Sequence, residues 1–306
     1  FLRNVPSLET VAVDYAPRGV KFYYIYKALA HPENNGYIQP FTLEERLLHV
    51  QEAKRTLGSG IEWICDNMDN GLKAALGGAP NSEFIIDPAG KIIRARGWSS
   101  ATSLRTDLES LVGRVSPATT VADLKMKPAA PRRRTATGVV PRIQINSVMR
   151  AVQVKPLASD EPYYVKLRAE VDESFMSEGL GMVYLGFHLD PLLHVHWNNL
   201  AAPIQFRVQC PVGITMGPGA GRGPEIKVAA DGDPREFLVG LEWDASILSA
   251  NRLADSPIII EVDYFACHDD LGWCKPIRQQ YEVRLLVDRN AGSVRGRGSF
   301  GGGRRR

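Results

Sequence analysis

The stretch Lys21-Phe-Tyr-Tyr-Ile-Tyr-Lys-Ala-Leu-Ala-His-Pro-Glu-Asn-Asn-Gly-Tyr37 is an apolar run that breaks into a His-Pro turn close to the amino terminus. A β-rich run that ends abruptly in polar and turn-forming residues reads as a strand feeding a loop. At such a junction a small α/β domain places a polar side chain beside its site, and here that side chain is His31. Residue 1 is Phe rather than Met and little sequence precedes the strand, so the chain is expected to start part-way through a domain.

Outward from this strand, residues 1–114 alternate helix-like and strand-like segments. A short helix is predicted over Phe1–Ala16, the strand over Val20–Tyr26 and a helix over Thr42–Leu57. The start of that helix, Thr42-Leu-Glu-Glu45, is a capping box, in which the Thr hydroxyl and the Glu carboxylate satisfy otherwise orphaned amides. Leu43, Leu47, Leu48 and Val50 then share one face at the 3.6-residue period. Strands are predicted at Ile61–Cys65, Glu83–Asp87 and Lys91–Arg96, with a turn at Asp87-Pro-Ala-Gly90 and helices at Leu72–Leu76 and Ser100–Val112. This βαβ–hairpin–helix order predicts a thioredoxin-like α/β domain whose first strand is missing.

From residue 115 to 142 the composition turns to Pro, Ala, Thr and Arg, with Arg132-Arg-Arg134 at the centre, which reads as a linker. Residues 143–289 carry seven alternating or β-branched runs between turn residues: Tyr163–Val171, Met182–His188, Leu193–Asn198, Ile204–Val208, Phe237–Trp243, Ile258–Phe265 and Gln280–Val287. That pattern predicts an all-β, immunoglobulin-like sandwich. Residues 290–306 form a Gly/Arg tail that cannot bury a core and is expected to be disordered.

A chain of 306 residues, 44% hydrophobic and 23% charged, has room for two cores. No run approaches the length of a membrane helix, which excludes a span in this chain. The net charge of +3 includes the tail arginines 295, 297, 304, 305 and 306, so the remainder is slightly acidic and carries no nucleic-acid footprint. Four cysteines are too few for a disulfide scaffold. Cys65 and Cys210, each at the end of a strand-like run, read as inert small hydrophobes.

The chemistry concentrates in Tyr264-Phe-Ala-Cys-His-Asp-Asp-Leu-Gly-Trp-Cys-Lys-Pro276. A strand turning back through Gly272 can bring Cys267 and Cys274 within disulfide reach. His268 and Lys275, adjacent to the cysteines, favour thiolate, whereas Asp269 and Asp270 oppose it. Spacing alone leaves a static hairpin disulfide and an exchanging pair equally open. A metal centre lacks a fourth ligand there, and the histidines at 188, 194 and 196, the latter two on one face by strand alternation, read as packing or surface residues ahead of a copper or zinc site.

The same segment resembles the cysteine pair of the amino-terminal immunoglobulin-like domain of the DsbD thiol:disulfide interchange family, through Tyr264, Trp273 and Pro276 around the cysteines and through Trp197-Asn-Asn199 and Pro203 upstream. It carries one extra residue between the cysteines. The first domain resembles the thioredoxin-fold iodothyronine deiodinases, through Phe22–Tyr26, Ala30-His-Pro32, Gly36-Tyr37 and Gly97-Trp98. Two acidic residues usual before the histidine are replaced by Ala28 and Leu29. This second resemblance implies a selenocysteine or cysteine nucleophile just upstream of Phe1, with no other cofactor, and a catalytic role for His31. It also places Pro80 where thioredoxin folds carry a substrate-facing cis-proline, and Trp98 beside it. Together the resemblances imply an oxidoreductase in which Cys267 and Cys274 relay electrons to a thiol or thioredoxin-like partner, working in the periplasm or cell envelope. The competing expectation is a non-catalytic binding protein with a structural disulfide.

Overall fold

The computed structural model describes residues 4–29, 32, 36–130, 135–244, 246, 255–291 and 293–294. The chain divides into two compact units, residues 1–29 with 42–132, and residues 30–41 with 133–306. Strand accounts for 36% of the structure and helix for 22%.

In the first unit the elements run α1 (Val5–Tyr15), β1 (Tyr23–Tyr26), α2 (Leu43–Leu57), β2 (Glu62–Cys65), α3 (Gly71–Leu76), β3 (Glu83–Ile86), β4 (Ile92–Arg96) and α4 (Ala101–Val112). The Thr42 capping box forms as the sequence dictates, the Thr42 hydroxyl accepting from the Glu45 amide and the Glu45 carboxylate accepting from the Thr42 amide. The carboxylate of Asp66, just past β2, accepts from the Leu72 and Lys73 amides and so caps α3. Leu8, Val11 and Tyr15 of α1 pack with Leu104 and Leu108 of α4 into a small core.

The expected thioredoxin-like assembly is not what these elements build. β1 pairs in parallel with β2, and β3 forms an antiparallel hairpin with β4, but the two pairs remain separate two-stranded sheets. Each strand is only four or five residues long and partly exposed, so neither pair offers the long, two-sided apolar surface that a central sheet buries. The Pro/Ala-rich stretch after α4 is anchored: Thr119 donates through its amide and hydroxyl to Asp14, and the Ala129 amide donates to the Arg55 carbonyl.

The second unit corrects the other half of the expectation. Its elements are β5 (Met149–Pro156), β6 (Val165–Asp172), α5 (Glu173–Glu178), β7 (Leu180–Leu189), β8 (Val195–Asn198), β9 (Gln205–Gln209), β10 (Ile214–Gly217), β11 (Ala220–Arg222), β12 (Ala230–Asp231), β13 (Arg235–Trp243), β14 (Ile258–His268), β15 (Trp273–Val287) and β16 (Ser293–Val294). All twelve strands belong to one antiparallel sheet, ordered β10-β13-β7-β6-β5-β15-β14-β8-β12, with β9 joining β11 to β14 and β16 on β5. This is a nearly closed barrel-like sheet and not an immunoglobulin-like sandwich.

The strand that joins its two halves is β5. Met149–Ala151 pair with β6, while Gln153–Pro156 pair with β15, and the register on β15 slips between Arg284 and Val287. A slip of this kind bends and twists a strand, so one strand carries the hydrogen-bond ladder round a corner where a sandwich would break into two sheets. β14 divides its pairing similarly, Ile259–Asp263 with β9 and Ala266–His268 with β8.

Alternate residues of β14, from Ile258 through Ile260, Val262 and Tyr264 to Ala266, point into a core shared with Phe187, Phe206, Leu241 and Tyr281. Lys166, wholly buried on β6, is held by Asp190 at 2.5 Å and lies 5.5 Å from the Phe41 ring centre.

Candidate functional site

The site is built at the end of the β14–β15 hairpin. Cys267 stands directly opposite Cys274 in the register, and the two form a disulfide with Cα atoms 4.0 Å apart. That close spacing belongs to a non-hydrogen-bonded antiparallel pair, in which each residue's own N–H and C=O point away from the facing strand. Two neighbours agree with this phase. Pro276, which has no N–H, occupies the next position of the same parity, opposite Phe265. Further along, the carbonyl of Gln280 accepts from the Leu157 amide, outside the hairpin.

The same pairing explains why the two sulfurs differ in access. β14 is flanked on both sides here, because Cys267 faces Cys274 on β15 and His196 on β8. Cys267 is accordingly buried, at 6% exposure. Among the described residues β15 has no strand on its other side at this level, since its pairing with β5 runs between Tyr281 and Val287, and Cys274 is exposed. Residues facing each other across a sheet share a face, so His196, Cys267 and Cys274 form a row across three strands.

The hairpin tip is tied to the start of β8 by two histidine–aspartate pairs. His196 Nδ1 lies 2.7 Å from Asp269 Oδ1, and His194 Nδ1 contacts Asp270. The two aspartates expected to oppose thiolate formation are thus engaged by histidines. The expected shared face of His194 and His196 does not form by strand alternation. His194 precedes β8 in a left-handed conformation, with φ of 54°, and stacks against His268 at 6.0 Å. His188 lies on β7, where it faces Lys166 of β6. Among the described residues no group of His, Cys, Asp and Glu could hold a metal ion.

On the other face of the hairpin, Trp273 packs on Tyr164 at 5.3 Å. The ammonium of Lys275 lies 4.5 Å from the Trp273 ring centre and 2.5 Å from Glu161. Lys275 therefore lies on the opposite face near the hairpin turn and is not directed at the disulfide row.

Beside the row lies a pocket of about 260 Å³, whose lining includes Trp197, Asn198, Asn199, Ile204, Arg222 and Phe265. Phe265 is two residues before Cys267 and Asn198 two after His196, so both continue the outer face of the same strands. The floor is rigid. Trp197 donates through Nε1 to the Asp233 carbonyl at 2.6 Å, and the Arg235 guanidinium stacks 4.9 Å from its ring centre. Arg235 also grips Asp231 through both terminal nitrogens. Burial works against ionisation of Asp231, but hydrogen bonds from Arg235, Asn199 and the Asp233 amide hold its carboxyl below the usual range. The Trp197-Asn-Asn199 and Pro203 motif of the sequence is thus the wall of this pocket.

The remaining sequence candidates fall elsewhere. His31 lies outside the described residues, as do Ala30, Arg132-Arg-Arg134 and most of the Gly/Arg tail. A parallel bridge between Asn81 and Trp98 brings Trp98 close to Pro80, yet both are exposed, Trp98 at 63%. The peptide bond before Pro80 is trans, the cis bonds being Ser116–Pro117 and Gly217–Pro218. Cys65 and Cys210 are free thiols of intermediate exposure, and burial raises both above an ordinary thiol's range, so neither is primed for attack.

The histidine–aspartate ties were the functional feature that sequence reasoning missed. Their signal was present: a His-x-His pair and an Asp-Asp pair, on segments that an antiparallel turn sets side by side. No helix is long and apolar enough to cross a membrane among the described residues. No protein-family model matches the chain, and no curated protein matches it.

Proposed function

We propose that the barrel of the second unit is a thiol–disulfide exchange module, an oxidoreductase whose reactive bond is Cys267–Cys274. The observation that carries this reading is the unequal access to the two sulfurs: Cys274 is open to an incoming thiolate while Cys267 is buried between strands.

A partner thiolate attacks Cys274 Sγ, the Cys267–Cys274 bond breaks, and Cys267 leaves with the electron pair as a thiolate. A second partner thiolate then attacks the partner's own sulfur in the mixed disulfide and releases Cys274. Two electrons pass from the partner dithiol to this chain, the partner ends as a disulfide, and the two new thiolates take up protons according to pH. His196 faces Cys267 in the register and is held by Asp269, which places an imidazole beside the departing thiolate. Such chemistry belongs to an oxidising compartment such as the cell envelope.

The second reading is a binding module in which the disulfide only pins the hairpin, favoured by the rigid Trp197 pocket. The reduction potential separates them. A midpoint between about −270 and −120 mV supports exchange, and one below about −300 mV assigns the bond a structural role. In a chain carrying Cys65→Ser and Cys210→Ala, Cys267→Ser should leave a Cys274 thiol that forms a mixed disulfide readily, whereas Cys274→Ser should leave a Cys267 thiol that reacts at least about tenfold more slowly. Equal reactivity of the two variants would remove the basis of the proposal.

A further inference from the structure

Among the described residues, the edge of β15 beside Cys274 has no strand on it. β5 pairs with β15 from Tyr281 onward, the Leu157 amide takes the Gln280 carbonyl, and from Trp273 to Gln279 no strand partner follows among the described residues. Cys274, Pro276 and Arg278 share the parity of Gln280, so their main-chain groups point to this open side. Pro276 offers only a carbonyl there, which blunts the edge one step beyond Cys274 and limits how far a foreign strand can extend.

We propose that the redox partner docks by adding a short extended segment, antiparallel, to this edge of β15, with its reactive cysteine directly opposite Cys274. This inference rests on the exchange reading and specifies how the partner is recognised. Because Cys274 presents its own N–H and C=O to the edge, the opposing residue forms a hydrogen-bonded pair with it. Cα atoms in such a pair lie about 5.5 Å apart. That separation lies within the Cα range of disulfides, while the facing Cβ atoms stand about 5.5 Å apart, so strand addition sets the partner sulfur alongside Cys274 Sγ and the forming bond draws the two chains slightly together. The side chains of a facing pair share a face, and Cys274 points to the outer one, where it is exposed. The occupant is therefore an extended peptide segment bearing a cysteine thiolate, recognised through its main chain around that cysteine.

The probes are glutathione and the peptide acetyl-Thr-Val-Cys-Val-Thr-amide, each used to reduce the full chain carrying Cys65→Ser and Cys210→Ala, with thiols quantified by alkylation and mass. Per thiolate, the peptide should reduce Cys267–Cys274 at least about fivefold faster than glutathione, and N-methylation of the peptide's cysteine nitrogen should abolish that gain by removing one main-chain hydrogen bond. N-methylation of the following residue, whose N–H points away, should leave the rate unchanged. Pro276→Thr, which restores an outward donor, should speed the peptide and not glutathione. If glutathione reduces the bond and the cysteine N-methyl peptide matches the parent, strand addition is overturned while exchange stands. If no thiol reduces the bond at a poise above about −270 mV, the exchange reading falls and takes this one with it.

Discussion

The two units of the chain are built from unlike strands, four or five residues long in the first and up to 15 in the second, and stabilise them in different ways. In the first, short strands stay in pairs, and a helix-on-helix contact of Leu8, Val11, Tyr15, Leu104 and Leu108 forms the core. In the second, one ladder runs through twelve strands, and side chains as large as Phe187, Phe206, Tyr264 and Tyr281 are almost wholly buried. A sheet that continues round its own core ties distant strands into one cooperative body, whereas separate hairpins depend on local contacts. The barrel is therefore the natural seat for chemistry that needs fixed geometry.

The sharpest way to break this comparison is to strike the barrel's buried charge pair. Asp190→Ala removes the carboxylate that pairs with the buried Lys166 ammonium, and should cost the barrel about 3–5 kcal/mol. In urea unfolding followed by far-ultraviolet dichroism, the loss should appear in one transition and leave another in place. A single transition that moves as a whole would show that the units unfold as one.

A smaller effect comes from Glu236. Burial would raise its carboxyl, but hydrogen bonds from Arg142 and Tyr184 prevail and hold it at about 2, against an ordinary value of 4.5. A depressed folded-state value means that the stabilisation is complete above pH 4.5 and is lost as pH falls toward 2, worth about 2–3 kcal/mol. Stability measured between pH 5 and 2 should decline on this account, and Glu236→Gln should flatten the slope while lowering stability at neutral pH. An unchanged slope would remove Glu236 from the barrel's acid response.

The smallest effect lies in the first unit. Thr42→Ala removes one half of the capping box on α2 and should cost about 1 kcal/mol. If the barrel's transition shifts equally, the contrast between local and continuous stabilisation is lost.

These features were not equally legible. Local chemistry was: the Thr42 box, the Asp87-Pro-Ala-Gly90 turn and the helices near residues 5–15, 43–57 and 101–112 fall where period and caps place them. Assembly was not, because whether β1–β2 and β3–β4 merge depends on contacts far apart in sequence. Continuity of the sheet turns on β5, whose Met149–Pro156 follows the Pro-rich stretch without a distinctive pattern, and on one register slip near Arg284. At the site, the cysteine spacing announced a hairpin but not which sulfur is open. That asymmetry is set by β8 and by the absence of β5 at that level, neither of which is encoded near the cysteines.

The hairpin that carries the disulfide has one more consequence, and it is kinetic. Eleven consecutive residue pairs hold β14 to β15, so attack on Cys274 releases no chain and leaves the two sulfurs, the Cys267 thiolate and Cys274 in its mixed disulfide, facing each other. Their effective molarity stays far above that of any dissolved thiol. Re-closure therefore outruns capture by a second external thiol, and the mixed disulfide is short-lived unless the partner is itself held in place.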